Sequence, residues 1–381
     1  MRLLHVHSGN LYGGVETSMV TLVRERMQYP VLESEFALCF EGQLAAELRE
    51  AGAAVYRLGA ARRTNPLTRR RARGRLIGLL QGSVFDAVIC HNSWSLAIFA
   101  KSIRAARLPL IFWMHDAASG NDRVEYSARH TMPDLALCNS NYTAATLPRL
   151  FPGTPTAVIH PPVSLARMSA PTATREMCRT ELATPADSVV IAQVSRMEAW
   201  KGHELHLDAL ARLRDLPGWV CWMIGGAQRR AEQSYLKTLK KRAQRLGLAE
   251  RVRFLGQRSD VPALLHAADI FCQPNRDPEP FGIVFVEALA AGLPVITTAM
   301  GAAAEIIDSS CGMAVAPGDA DALAQALRTL IQDREARTRL GANGPRRAAM
   351  LCDLRVQLGW LHAAVAGLIG KSIVTPEAEW A

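Results

Sequence analysis

The sequence predicts an α/β protein made of two doubly wound domains, each a parallel sheet with helices on both faces. Three observations carry that expectation. Short apolar runs alternate with helical patterns along nearly the whole chain. The alternation loosens once, in the Thr/Ala/Pro stretch from Ser169 to Thr174, and then resumes. The apolar runs stop repeatedly at Gly, His or Asn, and in sheets of this kind ligands collect where strands stop.

Taken in order, the strand candidates of the first series are "RLLHVHS", "SEFALCF", "AVYRL", "DAVICH", "PLIFWMH", "LALCNS" and "TAVIHPPV". Each is short and rich in apolar residues, as a strand buried on both faces must be. Beyond the joint come "SVVIAQVS", "VCWMIGG", "VRFLG", "DIFCQP", "PVITT" and "GMAVAP". The stretches "EQSYLKTLKKRAQRLG" and "DADALAQALRTLIQD" repeat apolar residues at helical spacing. The expected domains are residues 1–165 and 166–353, both Rossmann-like.

A chain of 381 residues accommodates two such domains, and its 49% apolar and 21% charged content is an ordinary globular balance. Its 8 cysteines are scattered singly with no CxxC pair, which suits buried free thiols in a reducing compartment. The start, "MRLLHVHSGN", is too short and polar for a signal peptide, and "VQLGWLHAAVAGLIG" is interrupted by Gln357 and His362. The expectation is a cytoplasmic protein.

A net charge of +9 favours anionic partners. Much of it lies in "ARRTNPLTRRRARGR", which holds Arg62, Arg63, Arg69, Arg70, Arg71, Arg73 and Arg75 and no acid. Such a run is either a solvated helix face or a peripheral membrane contact through Arg62–Arg75, helped by the apolar "LIGLL" that follows. No helix-turn-helix, zinc-finger or RNP pattern accompanies it, so nucleic acid is not an expected partner.

Several strand ends carry chemistry. In "HSGNLYGGVETS", Gly13 and Gly14 precede a helix start and would let backbone N–H groups approach an anion; the spacing is not GxGxxG, and a plain tight turn is the competing reading. In "QVSRMEAWKGHE", Arg196 and Lys201 could grip a diphosphate, the first by a forked contact and the second as a point charge. In "CQPNRDPEPFG", Gly282 opens the helix "IVFVEALAAG", whose first N–H groups and dipole suit a diphosphate. Glu287 lies one turn inside that apolar helix, on the face of Ile283. A carboxylate there is costly unless something binds it, so it either pairs with an Arg or receives ribose hydroxyls; Glu279 could hold sugar hydroxyls. Asp319 and Asp321 in "GDADAL" read as a helix N-cap and a first-turn acid, not as a metal-binding DxD. No cluster has metal-ligand spacing, so no metal or cofactor is expected. His5 and His7 alternate on the first strand and read as a feature of the fold, while His91, in "CHNSW", ends a strand and either lines an acceptor side or is structural.

Together these residues resemble the retaining glycosyltransferases of the GT-B fold, and particularly glycosyltransferase family 4. The E-x7-E pattern, Glu279 to Glu287, sits in "PEPFGIVFVEALAAGLPV". "GGVE", "SRMEAWKG", "GQRSDVPALLHAADIFCQPN" and "PGDADALAQAL" match in the same order, across essentially the whole chain. The resemblance implies two sheets facing across a cleft, an acceptor on the first domain and a nucleotide-sugar donor largely on the second. It implies that Arg196 and Lys201, with the N–H groups of Gly282 and Ile283, neutralise the donor diphosphate, and that Gly14 approaches it. Glu287 would hold the ribose. Glu279 and His115 would be the catalytic residues, the first holding donor-sugar hydroxyls and not acting as a nucleophile, the second lying near the sugar. Gly13 and His91 are acceptor-side candidates. A final helix in residues 354–381 would cross back to the first domain. His160 in "IHPPV" departs from the Asn-Gly-Val type turn of the family.

The expected activity is metal-independent, retaining transfer of a sugar from a nucleotide-diphosphate sugar to a hydroxyl acceptor, glycan or lipid-linked, in cell-surface polysaccharide or glycolipid synthesis. Two alternatives stand beside it: a nucleotide-sugar epimerase or hydrolase of the same fold, and a non-catalytic nucleotide or anionic-lipid binding module. A product assay separates the first, and tolerance of Glu279→Ala the second.

Overall fold

The protein is described here by a computed structural model covering residues 1–62, 64–169 and 173–370. Its described residues divide into two compact units, Met1–Val163 with Cys352–Gly370, and Ser164–Leu351. Arg63 and the centre of the Thr/Ala/Pro joint lie outside the described residues.

Among the described residues, the first unit is a seven-stranded sheet in the order β3-β2-β1-β4-β5-β6-β7. Its strands are β1 (Arg2–His7), β2 (Glu33–Leu38), β3 (Val55–Arg57), β4 (Ala87–His91), β5 (Leu110–Met114), β6 (Leu135–Cys138) and β7 (Thr156–Val158). All pairings are parallel. Strands β4 and β5 are buried throughout, because helices cover both faces. On one face Val88 and Phe112 pack with Leu76, Leu80 and Phe99. On the other, Leu3, Ile89 and Ile111 meet Leu354, Leu358, Leu361 and Val365 of the helix Leu354–Ile369.

That last helix is capped by the Asp353 side chain, which accepts from the N–H of Val356. The two residues that interrupt its hydropathy both serve as hydrogen-bonding partners. The Gln357 carbonyl accepts from the backbone N–H of His160 at 2.8 Å, and His362 Nδ1 lies 3.1 Å from the Tyr29 hydroxyl. No helix among the described residues is long and apolar enough to cross a membrane.

The basic run forms the start of the helix Pro66–Gly82, capped by Asn65. Its apolar half corrects an expectation. Leu76 and Leu80 of "LIGLL" are buried in the core, with Leu79 packed against it, so this stretch does not offer a free apolar surface. Arg73 and Arg75 donate to the carbonyls of Ile98 and Leu58, Arg73 half-buried and Arg75 still exposed. Arg62, Arg70 and Arg71 remain exposed.

The second unit is a six-stranded parallel sheet in the order β10-β9-β8-β11-β12-β13, again among the described residues. The strands are β8 (Val189–Val194), β9 (Trp219–Ile224), β10 (Val252–Gly256), β11 (Ile270–Gln273), β12 (Val295–Thr298) and β13 (Gly312–Val315). Asp319 caps the helix Ala320–Gln332 through the N–H groups of Asp321 and Ala322, while Asp321 pairs with Arg212. All the cysteines are free and buried. In each sheet the order reverses next to its first strand, between β1 and β4 and between β8 and β11, and a doubly wound sheet binds ligands beside such a reversal.

Candidate functional site

At the reversal in the second unit, two loops leave neighbouring strands. One follows β8 and contains Arg196 and Lys201; the other follows β11 and contains Asn275 and Glu279. They are locked together at Gly202, whose φ of +75° lies in the left-handed region. A Cβ there would stand 1.7 Å from the carbonyl oxygen of Pro274, so only glycine lets the two backbones meet. The N–H of Arg276 donates to the Trp200 carbonyl at 2.7 Å and ties the loops a second time.

That contact brings Lys201 onto Glu279. The ammonium donates to Glu279 Oε2 at 2.7 Å, and the Asn275 amide donates to the same oxygen at 2.7 Å. Gln273 approaches it at 3.4 Å. Both charged side chains are largely buried. Lys201 also sits 3.8 Å over the Trp200 ring, a cation–π contact that holds the ammonium over the loop. A buried ion pair of this kind is weak evidence for stability but breaking it is costly.

Glu279 precedes the helix Ile283–Ala290, and Gly282 is its N-cap at φ +95°. A Cβ at Gly282 would crowd the Phe285 ring at 2.5 Å and Glu279 Cγ at 3.0 Å. The first intrahelical bond begins at the N–H of Phe285, so the N–H groups of Gly282 and Ile283 have no intrahelical partner and lie beside the positive end of the helix dipole.

Arg196 is not an idle cation. Its guanidinium pairs with Glu198 at 2.8 Å and with Glu232 at 3.2 Å. Glu232 in turn accepts from the N–H groups of Gln228 and Arg229 at the start of the helix Arg230–Arg245. An incoming diphosphate would therefore compete with two carboxylates for this arginine.

Glu287 is half-buried, and its carboxylate makes no hydrogen bond or ion pair among the described residues. Burial pushes its carboxyl up to about 6, and the charge of Arg167 only partly offsets this. Because the folded value lies above the ordinary one, the protonated form is favoured in the folded protein. The stabilisation by Glu287 is thus complete below about pH 4.5 and is lost as pH rises through about 6. Glu287→Gln is expected to stabilise the ligand-free protein at pH 7.5 by up to about 2 kcal/mol, with the gain vanishing near pH 4.5. Melting curves at the two pH values check this; an equal change at both would contradict it.

In the first unit the reversal carries histidines. Alternation along β1 puts His5 and His7 on one face, and the parallel register continues that face to His91 and to His115, just past β5. His5 Nδ1 lies 2.7 Å from His91 Nε2, and His91 Nδ1 lies 2.8 Å from His115 Nε2. Trp113 stacks on His91 and His115 at 5.3 and 5.7 Å. The Asn139 amide donates to the His115 carbonyl. Nearby, Gly13 is the N-cap of the helix Gly14–Arg24, and Glu16 in its first turn lies 3.5 Å from His7 Nε2.

The structure therefore joins Lys201, Glu279 and Gly282 in one constellation of the second unit, with Arg196 in the adjoining loop and Glu287 one turn along the same helix. It joins His91 to His115 in the first unit. Sequence reasoning missed Asn275, Trp200, Glu198 and Glu232, and it read His5 as a feature of the fold without its link to His91. For Asn275 and Trp200 a signal existed, a polar residue two past a strand end and an aromatic next to a lysine. For Glu198 and Glu232 none did, since their pairing with Arg196 depends on tertiary placement.

Two family models match the chain. Residues 12–167 match Glycosyltransferase Family 4 and residues 175–347 match Glycosyl transferases group 1. A lipopolysaccharide core biosynthesis glycosyltransferase, LpsE, of Rhizobium meliloti is 35% identical over 167 residues, 44% of this chain and 46% of that protein. A phosphatidyl-myo-inositol mannosyltransferase of Mycobacterium leprae is 39% identical over 150 residues, 39% of this chain and 38% of that one. The chain thus spans less than half the length of these curated relatives. Among solved structures, Anabaena HepE in complex with UDP and glucose is similar with a TM-score of 0.85 at 24% identity, covering 96% of this chain and 99% of that one.

Proposed function

Because the chain belongs to the glycosyltransferases, with a two-domain GT-B fold resembling family 4, we propose that it transfers a sugar from a nucleotide-diphosphate sugar to a hydroxyl acceptor. The observation that carries this reading is the Lys201–Glu279 contact beside the open N–H groups of Gly282 and Ile283, at the sheet reversal of the second unit. Acceptors in glycolipid or cell-surface polysaccharide synthesis fit the relatives, whose names refer to lipopolysaccharide core and phosphatidylinositol glycosylation.

In this reading the leaving diphosphate is stabilised by Lys201, by Arg196 once freed from its carboxylates, and by the helix start. Cations and a dipole fixed in place need little reorganisation as negative charge develops on the leaving group. No metal is required for that chemistry. Glu279, held rigidly by Lys201 and Asn275, accepts hydroxyl hydrogen bonds from the donor sugar, and the unpartnered Glu287 carboxylate accepts those of the ribose. The family resemblance supports retention of configuration, with attack on the face the diphosphate leaves and no enzymic nucleophile. By the family resemblance Gly14 and His115 contact the donor, and Gly13 and His91 contact the acceptor.

The test is release of nucleoside diphosphate from a panel of UDP-, GDP-, ADP- and dTDP-sugars, with chelator present and bacterial glycolipid extract as acceptor. Sugar appearing in the extract supports transfer. Epimerised or hydrolysed donor that is independent of extract would replace the reading. We also propose that exposed Arg62, Arg70 and Arg71 bring the protein to anionic membrane. Anionic vesicles should sediment the wild type and release the triple Arg→Ser variant; equal, negligible binding of both would remove the idea.

A further inference from the structure

In the ligand-free protein both arms of the Arg196 guanidinium are engaged. Nη2 pairs with Glu198 Oε1 at 2.8 Å, and Nη1 donates to Glu232 Oε1 at 3.2 Å. The second pairing depends on tertiary structure. The loop after β8 runs beside the loop after β9, where the N–H of Met197 donates to the Gly226 carbonyl at 3.1 Å. That contact brings the first turn of the helix Arg230–Arg245 up to the guanidinium, and Glu232 is buried there.

A buried carboxylate deserted by its cation is costly. Neither carboxylate here would be deserted. Each gives one oxygen to Arg196 and the other to a donor that stays. Glu198 Oε2 accepts from the Trp200 indole N–H at 3.1 Å. Glu232 Oε2 accepts from the backbone N–H groups of Gln228 and Arg229 at 2.6 and 3.3 Å. Those groups lie at a helix start, whose dipole steadies the charge that Arg196 would leave behind. The Arg196 side chain is itself 28% exposed, so it can turn to an anion without unpacking a core.

We propose that Glu198 and Glu232 hold Arg196 in reserve, yielding it to a bound diphosphate and reclaiming it as the diphosphate leaves. That this anion is first a donor and then a product rests on the glycosyl-transfer reading; that the carboxylates compete with it does not. Breaking the sugar–phosphate bond exposes a further anionic oxygen, so the product holds cations more strongly than the donor does. A competitor for Arg196 therefore speeds its departure. The two carboxylates act on product release, opposite in sign to Lys201.

Isothermal titration of inorganic diphosphate into the full-length protein, with chelator present, reads the competition without nucleotide or sugar. Glu232→Gln keeps an oxygen for the two backbone N–H groups, and Glu198→Gln keeps one for Trp200. Each should bind diphosphate roughly tenfold more tightly than wild type, as removal of one competing hydrogen bond between charged groups implies. With Arg196→Ala in place, neither substitution should bring a gain. Weaker, unchanged or unmeasurable binding in either folded variant would overturn the proposal. So would an equal gain without Arg196, which would reflect only the loss of a nearby negative charge. Glu198→Gln decides if Glu232→Gln does not fold. An enzyme that transfers no sugar would leave this titration intact, and a titration of the wrong sign would leave the transfer reading untouched.

Discussion

Glu279→Gln is expected to lower sugar transfer by roughly a hundredfold or more, the range seen when one preorganised hydrogen-bonding group is removed from a transition state. The substitution keeps a carbonyl for Lys201 and Asn275, both of which donate to Glu279 Oε2. It removes the charge that balances a largely buried ammonium, and losing one partner of such a pair costs about 3–5 kcal/mol. The retained hydrogen bonds place this variant toward the low end. Turnover and thermal melting should therefore both fall, with the fold retained at room temperature. Wild-type turnover in a variant that is measurably less stable would remove Glu279 from the machinery and leave it a structural partner of Lys201.

The second large effect comes from a residue with no chemistry of its own. Gly202→Ala should destabilise the second unit by several kcal/mol and abolish nucleotide binding, because its Cβ would lie 1.7 Å from the Pro274 carbonyl oxygen. The two loops that carry Lys201 and Glu279 cannot both keep their places around that methyl group. Gly218 separates backbone strain from collision. It has the same φ of +75°, but a Cβ at that position would meet nothing within 4 Å, so Gly218→Ala should cost only about 1–2 kcal/mol and spare binding. If the two variants behaved alike, the loop contact would not be what assembles the site.

The strand–helix alternation was readable because parallel strands covered on both faces must be short apolar runs, and β4 and β5 are buried at every position. The Asp319 cap was readable too, being a local signal that needs only three residues. Glu287 stood out because a carboxylate in "IVFVEALAAG" contradicts its surroundings. What sequence could not supply is who meets whom across space. Arg196 reads as a waiting cation, yet Glu232, 36 positions away, holds it. The alternating His5 and His7 read as a feature of one strand, whereas register with β4 joins His5 to His91 and, through it, to His115. "LIGLL" reads as a membrane-seeking stretch because hydropathy alone does not separate apolar residues facing a core from those facing lipid.

In the proposed reading, Glu287 and the start of its helix form a nucleoside-diphosphate seat. Thermal stabilisation by UDP, GDP, ADP and dTDP, in chelator and at pH 7.5, tests it most directly for wild type and Glu287→Ala. A marked rise with one of the four is expected in the wild type, lost in the variant although the variant's own melting temperature is not lower. A nucleotide-dependent rise of equal size in both proteins, or none in the wild type with any of the four, would contradict it.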